Sequence, residues 1–411
     1  MSAIKSSFIS TLVVLFFPFA LTINLVNFFW MDALFVGMTI FALALANRSW
    51  SGIKTAFGLN ERILLCFLCA YFFSGILGYI LNSPMQAHEL SKIANLRWIW
   101  GFFACFSAGH LIASRKTKAH WSFAIVLVVL VLIAVKHYQQ TNGEFFSQEI
   151  RTQGFYSNPN YFAMAVVVLW ALILSFAIYS TDLFSRITTG LILVLGSAIL
   201  LATYTRTAWI AMALVTATAL LYTKNKKVLA ISVVAAGVFG IAVLFNWFDL
   251  KERILYSFNF SSSSSQGARF AIWNATWHIF LDHPLFGVGF EHAAKLYRTY
   301  YVELGQPTDY VPGHAHNQFL DILSGAGLVG LLGYMGAFGS GVIFFHKKFK
   351  SATETLSKQL SLGALLSIVA LFGCSMTETP IIQQETRNYI LIILGFAYGY
   401  LSEKDKKEAA R

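Results

Sequence analysis

The stretch that decides the fold is residues 160–180, which read NYFAMAVVVLWALILSFAIYS and contain no charged side chain. An α-helix rises about 1.5 Å per residue, so about 20 residues cross a hydrocarbon core of roughly 30 Å. Lipid offers no water to the backbone N–H and C=O groups, so a run of this kind must be helical. The stretch therefore predicts a transmembrane helix.

Apolar runs of similar length recur along the whole chain. Charged residues make up 12% of the 411 residues and hydrophobic residues 57%, whereas a soluble domain is about a quarter charged. We therefore predict an all-α integral membrane protein of about 12 transmembrane helices. The predicted spans are 8–26, 29–46, 61–81, 95–113, 119–139, 160–180, 184–203, 206–223, 227–247, 317–345, 360–377 and 387–402.

The distribution of basic residues predicts the orientation. If the N-terminus is cytoplasmic, 19 of the 30 Lys and Arg residues lie in cytoplasmic segments and 10 lie outside. Short cytoplasmic loops carry an excess of Lys and Arg, so both termini are expected in the cytoplasm. The net charge of +11 is then explained by topology, and we expect membrane lipid and no nucleic acid as a partner.

One external segment, residues 248–316, is far longer than a connection between two helices needs. It contains a Ser run at 261–265 and two helix-like stretches, at about 268–281 and 291–304. We predict three parts: spans one to nine in residues 1–247, a functional external loop in 248–316, and spans ten to twelve with a cytoplasmic tail in 317–411. Long loops on a rigid scaffold commonly carry function.

Three arginines on the outer side are candidate phosphate ligands. Arg206 stands at the outer mouth of the eighth span, where a guanidinium is costly without an anionic partner. Its planar fork suits bidentate contact with a phosphate, although snorkelling or a structural ion pair is the alternative. Arg269 in the long loop and Arg151 before the sixth span are the other two, and the cluster could hold a diphosphate without a metal.

His316 is the strongest candidate for proton transfer, because an imidazole accepts protons near neutral pH. The alternative is a structural histidine with satisfied hydrogen bonds. Asn317 follows where a helix is expected to begin, and His314 is a secondary candidate expected to point elsewhere. Asp321 could orient that end of the helix or pair with an arginine. Three further charged residues flank the last external loop and could face an acceptor or pair with one another: Glu378, Glu385 and Arg387.

Other classes of function are disfavoured. The chain has no G-x-x-x-x-G-K-[ST] run for nucleotide binding. The spacing of His314 and His316 with Asp282 and His283 matches no zinc pattern, so no metal or cofactor is expected. A transporter would place ionisable groups near the membrane midplane, whereas here they lie at helix ends and in one loop.

Two of these segments resemble the O-antigen ligase family. His316-Asn317, nine further residues and then Gly327-Leu328-Val329-Gly330 are similar to the signature H-[NSQ]-x9-G-x-x-[GTY]. The stretch from Arg269 through Pro284 to Gly287-Val288-Gly289 resembles the large loop of the wider superfamily. That superfamily also includes O-antigen polymerases and protein O-oligosaccharyltransferases, which remain alternatives.

The resemblance implies a GT-C-like fold and a glycosyltransferase activity. A glycan would pass from undecaprenyl diphosphate to a sugar hydroxyl of the lipid A–core, with inversion, on the periplasmic face of the Gram-negative inner membrane. Neither a nucleotide sugar nor a metal would be needed. Arg206 and Arg269 would bind the diphosphate and His316 would activate the acceptor. The remaining candidates would line the substrate site: Arg151, Asn317, His314 and Asp321.

Overall fold

The computed structural model describes residues 59–82, 99–113, 122–258, 265–290, 292–309 and 311–409. This part of the chain contains helices and no strand. The α-helices are α1 Leu59–Asn82, α2 Ile99–Ala113, α3 Ser122–Gln140, α4 Pro159–Tyr179, α5 Leu183–Ala202, α6 Arg206–Thr223, α7 Lys226–Leu244, α8 Leu250–Leu255, α9 Ser265–Asp282, α10 Ala293–Glu303, α11 Gln318–Ser351, α12 Thr355–Ser375 and α13 Gln384–Ala409.

The all-helical class is confirmed for these residues. Seven of the described helices, α1, α3, α4, α5, α7, α11 and α12, are long and apolar enough to cross a membrane. The first two predicted spans, 8–26 and 29–46, lie outside the described residues, and each later predicted span coincides with a helix. The total of twelve spans and the GT-C-like arrangement stay predictions.

Helix α4 lies at the centre of the bundle, packed against α12. It begins where the Asn158 side chain accepts a hydrogen bond from the Asn160 amide and Pro159 occupies the first turn, a sequence that favours a helix start. Its aliphatic side chains are buried on all sides, whereas Ala242 is the one residue of α7 that is buried. The core around α4 is therefore mainly apolar, with small hydroxyl side chains such as that of Ser367 hydrogen-bonded to backbone carbonyls.

Helix α11 is broken near its start, at Gly327, where φ is 64° and ψ is −167°. This region of backbone space is open essentially to glycine alone. The break exposes backbone groups that pair with a segment of the long loop: Val288 N donates to Ser324 O at 2.9 Å and Leu328 N donates to Pro284 O at 2.8 Å. A Cβ on Gly327 would lie 2.3 Å from the Leu285 carbonyl oxygen. The absence of a side chain at Gly327 thus leaves space for the segment of the long loop that packs against the break.

Helices α9 and α10, which we call the loop layer, pack against the broken part of α11, and the segment between them contacts α1. They confirm the two helical stretches predicted in the long loop. They share a small apolar core that includes Ile279, Val288 and Tyr297. Asn82 of α1 donates a hydrogen bond to the Gly287 carbonyl at 2.7 Å. The loop layer is therefore a packed part of the fold, positioned next to the start of α11.

Candidate active site

A buried carboxylate, that of Glu378 between α12 and α13, joins three parts of the molecule. Its Oε1 accepts hydrogen bonds from Arg269 Nη2 at 2.9 Å and from Asn160 Nδ2 at 3.2 Å. Its Oε2 lies 3.0 Å from His316 Nδ1. The side chain is 2% exposed, against 15% for Arg269 and 24% for His316. Glu378 therefore connects the loop layer, α4 and the start of α11 at one point.

The surroundings of Glu378 keep its carboxylate ionised. Burial alone raises the pKa of a carboxyl group. Here the hydrogen bond from His316, the charge of Arg269 and the attraction of the two imidazoles when they are protonated outweigh burial, so the pKa of Glu378 lies below its ordinary value. A carboxylate that is ionised at neutral pH accepts hydrogen bonds on both oxygens and donates none.

The start of α11 fixes His316 beside this carboxylate. Asn317 caps the helix by accepting hydrogen bonds from the Phe319 and Leu320 amides at 3.0 and 3.1 Å. Its Nδ2 donates to the Met376 carbonyl at 3.0 Å, which ties the cap to the end of α12. His316 itself has φ of 48°, a left-handed conformation that is uncommon outside glycine. Such conformations are concentrated at functional sites.

His314 lies in the same cluster, so the expectation that it points elsewhere was wrong. Its ring centroid is 4.0 Å from that of His316, and its Nδ1 is 3.2 Å from Thr379 Oγ1. Burial, with repulsion from a protonated His316 ring as the next cause, lowers the pKa of His314 to about 4. His314 is therefore neutral at pH 7, and it can offer hydrogen bonds without adding charge.

Two arginines are held by the turn at residues 203–205, just before α6. The Thr203 carbonyl accepts a hydrogen bond from Arg151 Nε at 2.6 Å, and the Tyr204 carbonyl accepts one from Arg253 Nε at 3.0 Å. Tyr204 is buried and has φ of 49°, so this turn is also held in an uncommon conformation. Arg151 Nη2 donates to Asn160 Oδ1 at 2.6 Å, which links this pair to the residues around Glu378.

Four arginines consequently share one end of the bundle. Arg206, half-buried at the first position of α6, has Arg253 and Arg269 as electrostatic neighbours. Burial and then the charge of Arg253 lower the pKa of Arg151 to about 10 against the opposing effect of Glu378. Cations placed so close repel one another. An arrangement of this kind suits a ligand that carries several negative charges.

The structure brings together most of the residues selected from the sequence. His316, His314, Asn317, Arg269 and Arg151 form one connected network, with Arg206 beside it. The charge of Asp321, in the first turn of α11, adds to burial in raising the pKa of Tyr297 in α10.

Two residues of the site were not assigned to it from the sequence. Glu378 was expected to face an acceptor or to pair with its neighbours in the last loop, and Arg253 was not singled out. The signal that could have identified them is their position: both are charged residues close to the ends of long apolar runs, where charged residues are rare. Among the residues that the structure describes, no group of three or more His, Cys, Asp or Glu could hold a metal ion. A metal-free reaction stays a prediction.

The region that contains these residues is similar to known proteins. The sequence model of the O-antigen ligase family matches residues 191–335, which run from α5 into α11 and include Arg206, Arg269 and His316. The teichuronic acid biosynthesis protein TuaE of Bacillus subtilis (strain 168) is 29% identical over 163 residues. That alignment covers 38% of this chain and 32% of the relative, so the chain spans about a third of the relative's length.

The described part of the chain is helical, with seven helices able to cross a membrane, and its matched region is similar to the O-antigen ligase family. The similarity to that family is confined to residues 191–335, and the relative TuaE adds a distant similarity to a glycan-biosynthesis protein. The resemblance carried by His316-Asn317 and Gly327 is thereby confirmed.

Proposed function

We propose that this protein is an O-antigen ligase, which transfers a glycan from undecaprenyl diphosphate to a sugar hydroxyl of the lipid A–core. The observation that carries the proposal is the juxtaposition of four arginines with a partly exposed, rigidly placed histidine. The arginines suit a diphosphate leaving group, and the histidine suits an acceptor hydroxyl. The histidine and three of the four arginines lie within residues 191–335, which match the O-antigen ligase family, and Arg151 precedes that region.

The donor half of the reaction is electrostatic. The bond from the anomeric carbon to the diphosphate oxygen breaks with its electron pair, so negative charge grows on the leaving group. Fixed guanidinium groups stabilise that charge and need no reorganisation during the reaction. Arg206 and Arg269 are assigned to the diphosphate, with Arg151 beside them. Arg206 also opens α6, whose N-terminal dipole favours an anion.

The acceptor half requires removal of a proton. The acceptor oxygen attacks the anomeric carbon from the side opposite the diphosphate, which inverts that centre, and the hydroxyl proton passes to His316. A general base of this kind contributes about 10²–10⁴ to the rate. His314 and Asn317 lie next to His316, where they can contact the acceptor sugar. Asp321 belongs to the same helix start and is assigned a supporting role there.

The placement of the reaction follows from the distribution of basic residues. We assign both termini to the cytoplasm, and the loop layer and the start of α11 to the periplasmic face of a Gram-negative inner membrane. Residues 1–247 then hold spans one to nine, 248–316 the catalytic loop, and 317–411 the last three spans and the tail. The transfer uses no nucleotide sugar, metal or other cofactor.

A second candidate is an O-antigen polymerase, in which the acceptor is another lipid-linked glycan. One observation favours it: the relative TuaE is named for the biosynthesis of teichuronic acid, a different glycan. The donor chemistry and the role of His316 are the same in both candidates, so the acceptor distinguishes them.

Reconstitution with two acceptors tests the proposal. The purified protein is supplied with an undecaprenyl-diphosphate-linked glycan and with either lipid A–core or a second lipid-linked glycan. We expect product on lipid A–core, and product only on the lipid-linked glycan would establish the polymerase. His316→Ala should lower the rate by about 10²–10⁴. His278→Ala is the matched control: it lies in the loop layer, and its ring hydrogen-bonds to the Asn274 carbonyl of the same helix, α9. Full activity of His316→Ala would remove its catalytic role.

A further inference from the structure

We propose that Glu378 is a positioning residue that couples donor binding to proton transfer, by holding Arg269 with one oxygen and His316 with the other. The inference rests on the proposed function, because it needs a diphosphate near Arg269 and an acceptor hydroxyl near His316. It adds a role for a residue outside the matched family domain, which ends at residue 335.

The contact with Glu378 determines which nitrogen of His316 acts as the base. An ionised carboxylate only accepts hydrogen bonds, and Oε2 lies 3.0 Å from Nδ1. Nδ1 must therefore carry the hydrogen, and the lone pair is left on Nε2. The opposite tautomer would place two acceptors face to face inside a buried site. Glu378 thus presets His316 as a base whose reactive nitrogen points away from the carboxylate.

The same contact stabilises the product of proton transfer. When the acceptor proton reaches Nε2, the ring becomes an imidazolium whose Nδ1–H faces Oε2. The resulting ion pair is buried on the carboxylate side, where the Glu378 side chain is 2% exposed, so its attraction is little screened by water. The proton stays on His316 during glycosyl transfer and then leaves to solvent from the 24% exposed ring. Glu378 remains ionised throughout.

The other oxygen links this pair to the donor. Arg269 uses Nη2 on Oε1, and a guanidinium has five N–H donors in a planar fork. The remaining donors can contact the diphosphate while the first stays on Glu378. Arg269 thereby orients the carboxylate that orients the base. The carboxylate and the diphosphate also repel each other, so Glu378 weakens donor binding while it aids transfer.

Loss of the Glu378 charge should therefore lower kcat without weakening donor binding. A residue with a merely structural role would not give this pair of effects. In Glu378→Gln the charge is lost and the size is kept. We expect kcat to fall by about 10²-fold or more, since both the tautomer and the imidazolium lose their partner. Donor affinity, measured separately by direct binding of the undecaprenyl-diphosphate-linked glycan, should stay unchanged or become several-fold tighter. Glu378→Asp keeps the charge and should recover part of kcat.

Glu303→Gln is the matched control, because it removes an exposed carboxylate at the end of α10 and should leave both quantities as in the parent protein. ¹⁵N NMR of histidine-labelled protein supplies a second readout. The His316 signals, assigned by their loss in His316→Ala, should report an Nδ1-protonated ring in the parent protein and the other tautomer in Glu378→Gln.

The outcomes separate this inference from the proposed function. If His316→Ala is fully active, the proposed function fails. If His316→Ala is inactive but Glu378→Gln keeps full kcat, the coupling role alone is overturned. A third outcome is that Glu378→Gln loses donor affinity in parallel with kcat, while Glu378→Asp recovers no activity and the His316 tautomer is unchanged. That result would show that Glu378 only forms a structural ion pair.

Discussion

The two ends of the helix bundle differ in how their charged side chains are paired. At the end where α11 stops at Ser351 and α12 begins, Lys404 Nζ lies 3.0 Å from Glu354 Oε2. Nearby, His110 Nδ1 lies 3.4 Å from Glu403 Oε2. In these contacts each carboxylate has a basic partner of its own. The Lys404 and Glu354 side chains are 32% and 45% exposed, so water screens much of their interaction.

The site end instead gathers positive charge around one buried carboxylate. Arg269 and His316 share Glu378, and Arg151 and Arg253 are held by the backbone carbonyls of residues 203 and 204. Arg151 and Arg206 each have Arg253 as an electrostatic neighbour. Repulsion of this kind is costly in a partly buried place and is relieved by an anionic ligand. The opposite end therefore pairs its charges within the protein, whereas the site end keeps an excess of positive charge, as the proposed binding of an anionic donor requires.

Removal of the break in α11 should have the largest effect. Gly327→Ala would place a Cβ 2.3 Å from the Leu285 carbonyl oxygen, at a φ of 64°. The backbone strain alone costs about 1–3 kcal/mol, and the clash would push the loop layer away from the start of α11. We expect a large fall in melting temperature and loss of transfer.

Gly339→Ala, in the same helix and with open space around the added methyl group, is the control for this variant. It should be neutral or slightly stabilising, because alanine is the better helix former. Equal melting temperatures for the two variants would show that the break at Gly327 is dispensable.

Removal of an arginine at the site end should have the next largest effect. Under the proposed function, Arg206→Ala or Arg269→Ala deletes charged hydrogen bonds to the diphosphate, each worth about 1.5–3 kcal/mol, so donor affinity should fall by about 10- to 150-fold. Lysine should restore only part of it because it lacks the planar fork. Binding of the lipid-linked donor measures the change.

Arg298→Ala, an exposed arginine of α10, is the matched control for both arginine variants. An equal loss of affinity in this control would mean that general positive charge, and not the site, binds the donor.

Acidification should weaken the site end through His314 and Glu378. The pKa of His314 is lowered to about 4 from its ordinary value of 6.5. Between those values the unfolded chain binds more protons than the folded protein, so stability falls as the pH drops through this window. The pKa of Glu378 is also lowered, from an ordinary 4.5, which adds a further loss below about pH 4.5.

Melting temperatures recorded from about pH 7 to about pH 4.5 check this sign. His314→Asn should flatten the fall with decreasing pH, whereas His278→Asn in the loop layer should leave it as in the parent protein. A profile that does not change in His314→Asn would contradict the assignment.

The sequence predicted what depends on local pattern. Apolar length predicted helices such as α4, and the spacing from His316 to Gly327 predicted the family. The partners of Glu378 could not be predicted, because they lie 62, 109 and 218 residues away along the chain. The break in α11 was also missed, since residues 317–345 read as one continuous apolar span. His314 was misplaced because the left-handed backbone of His316 redirects the chain before the helix.

The smallest effect is expected at the opposite end, where Glu354→Gln breaks the contact with Lys404. An exposed ion pair contributes about 0–1 kcal/mol, because water screens the charges and two long side chains must be ordered. Tyr400 Oη also donates to Glu354 Oε2, at 3.2 Å, and a glutamine oxygen can still accept that hydrogen bond. Melting temperature should therefore change little, and donor affinity and kcat should match the parent protein. A loss of transfer comparable to that of Glu378→Gln would erase the distinction between the two ends, because the same charge change would then matter equally where carboxylates have their own partners and where arginines gather.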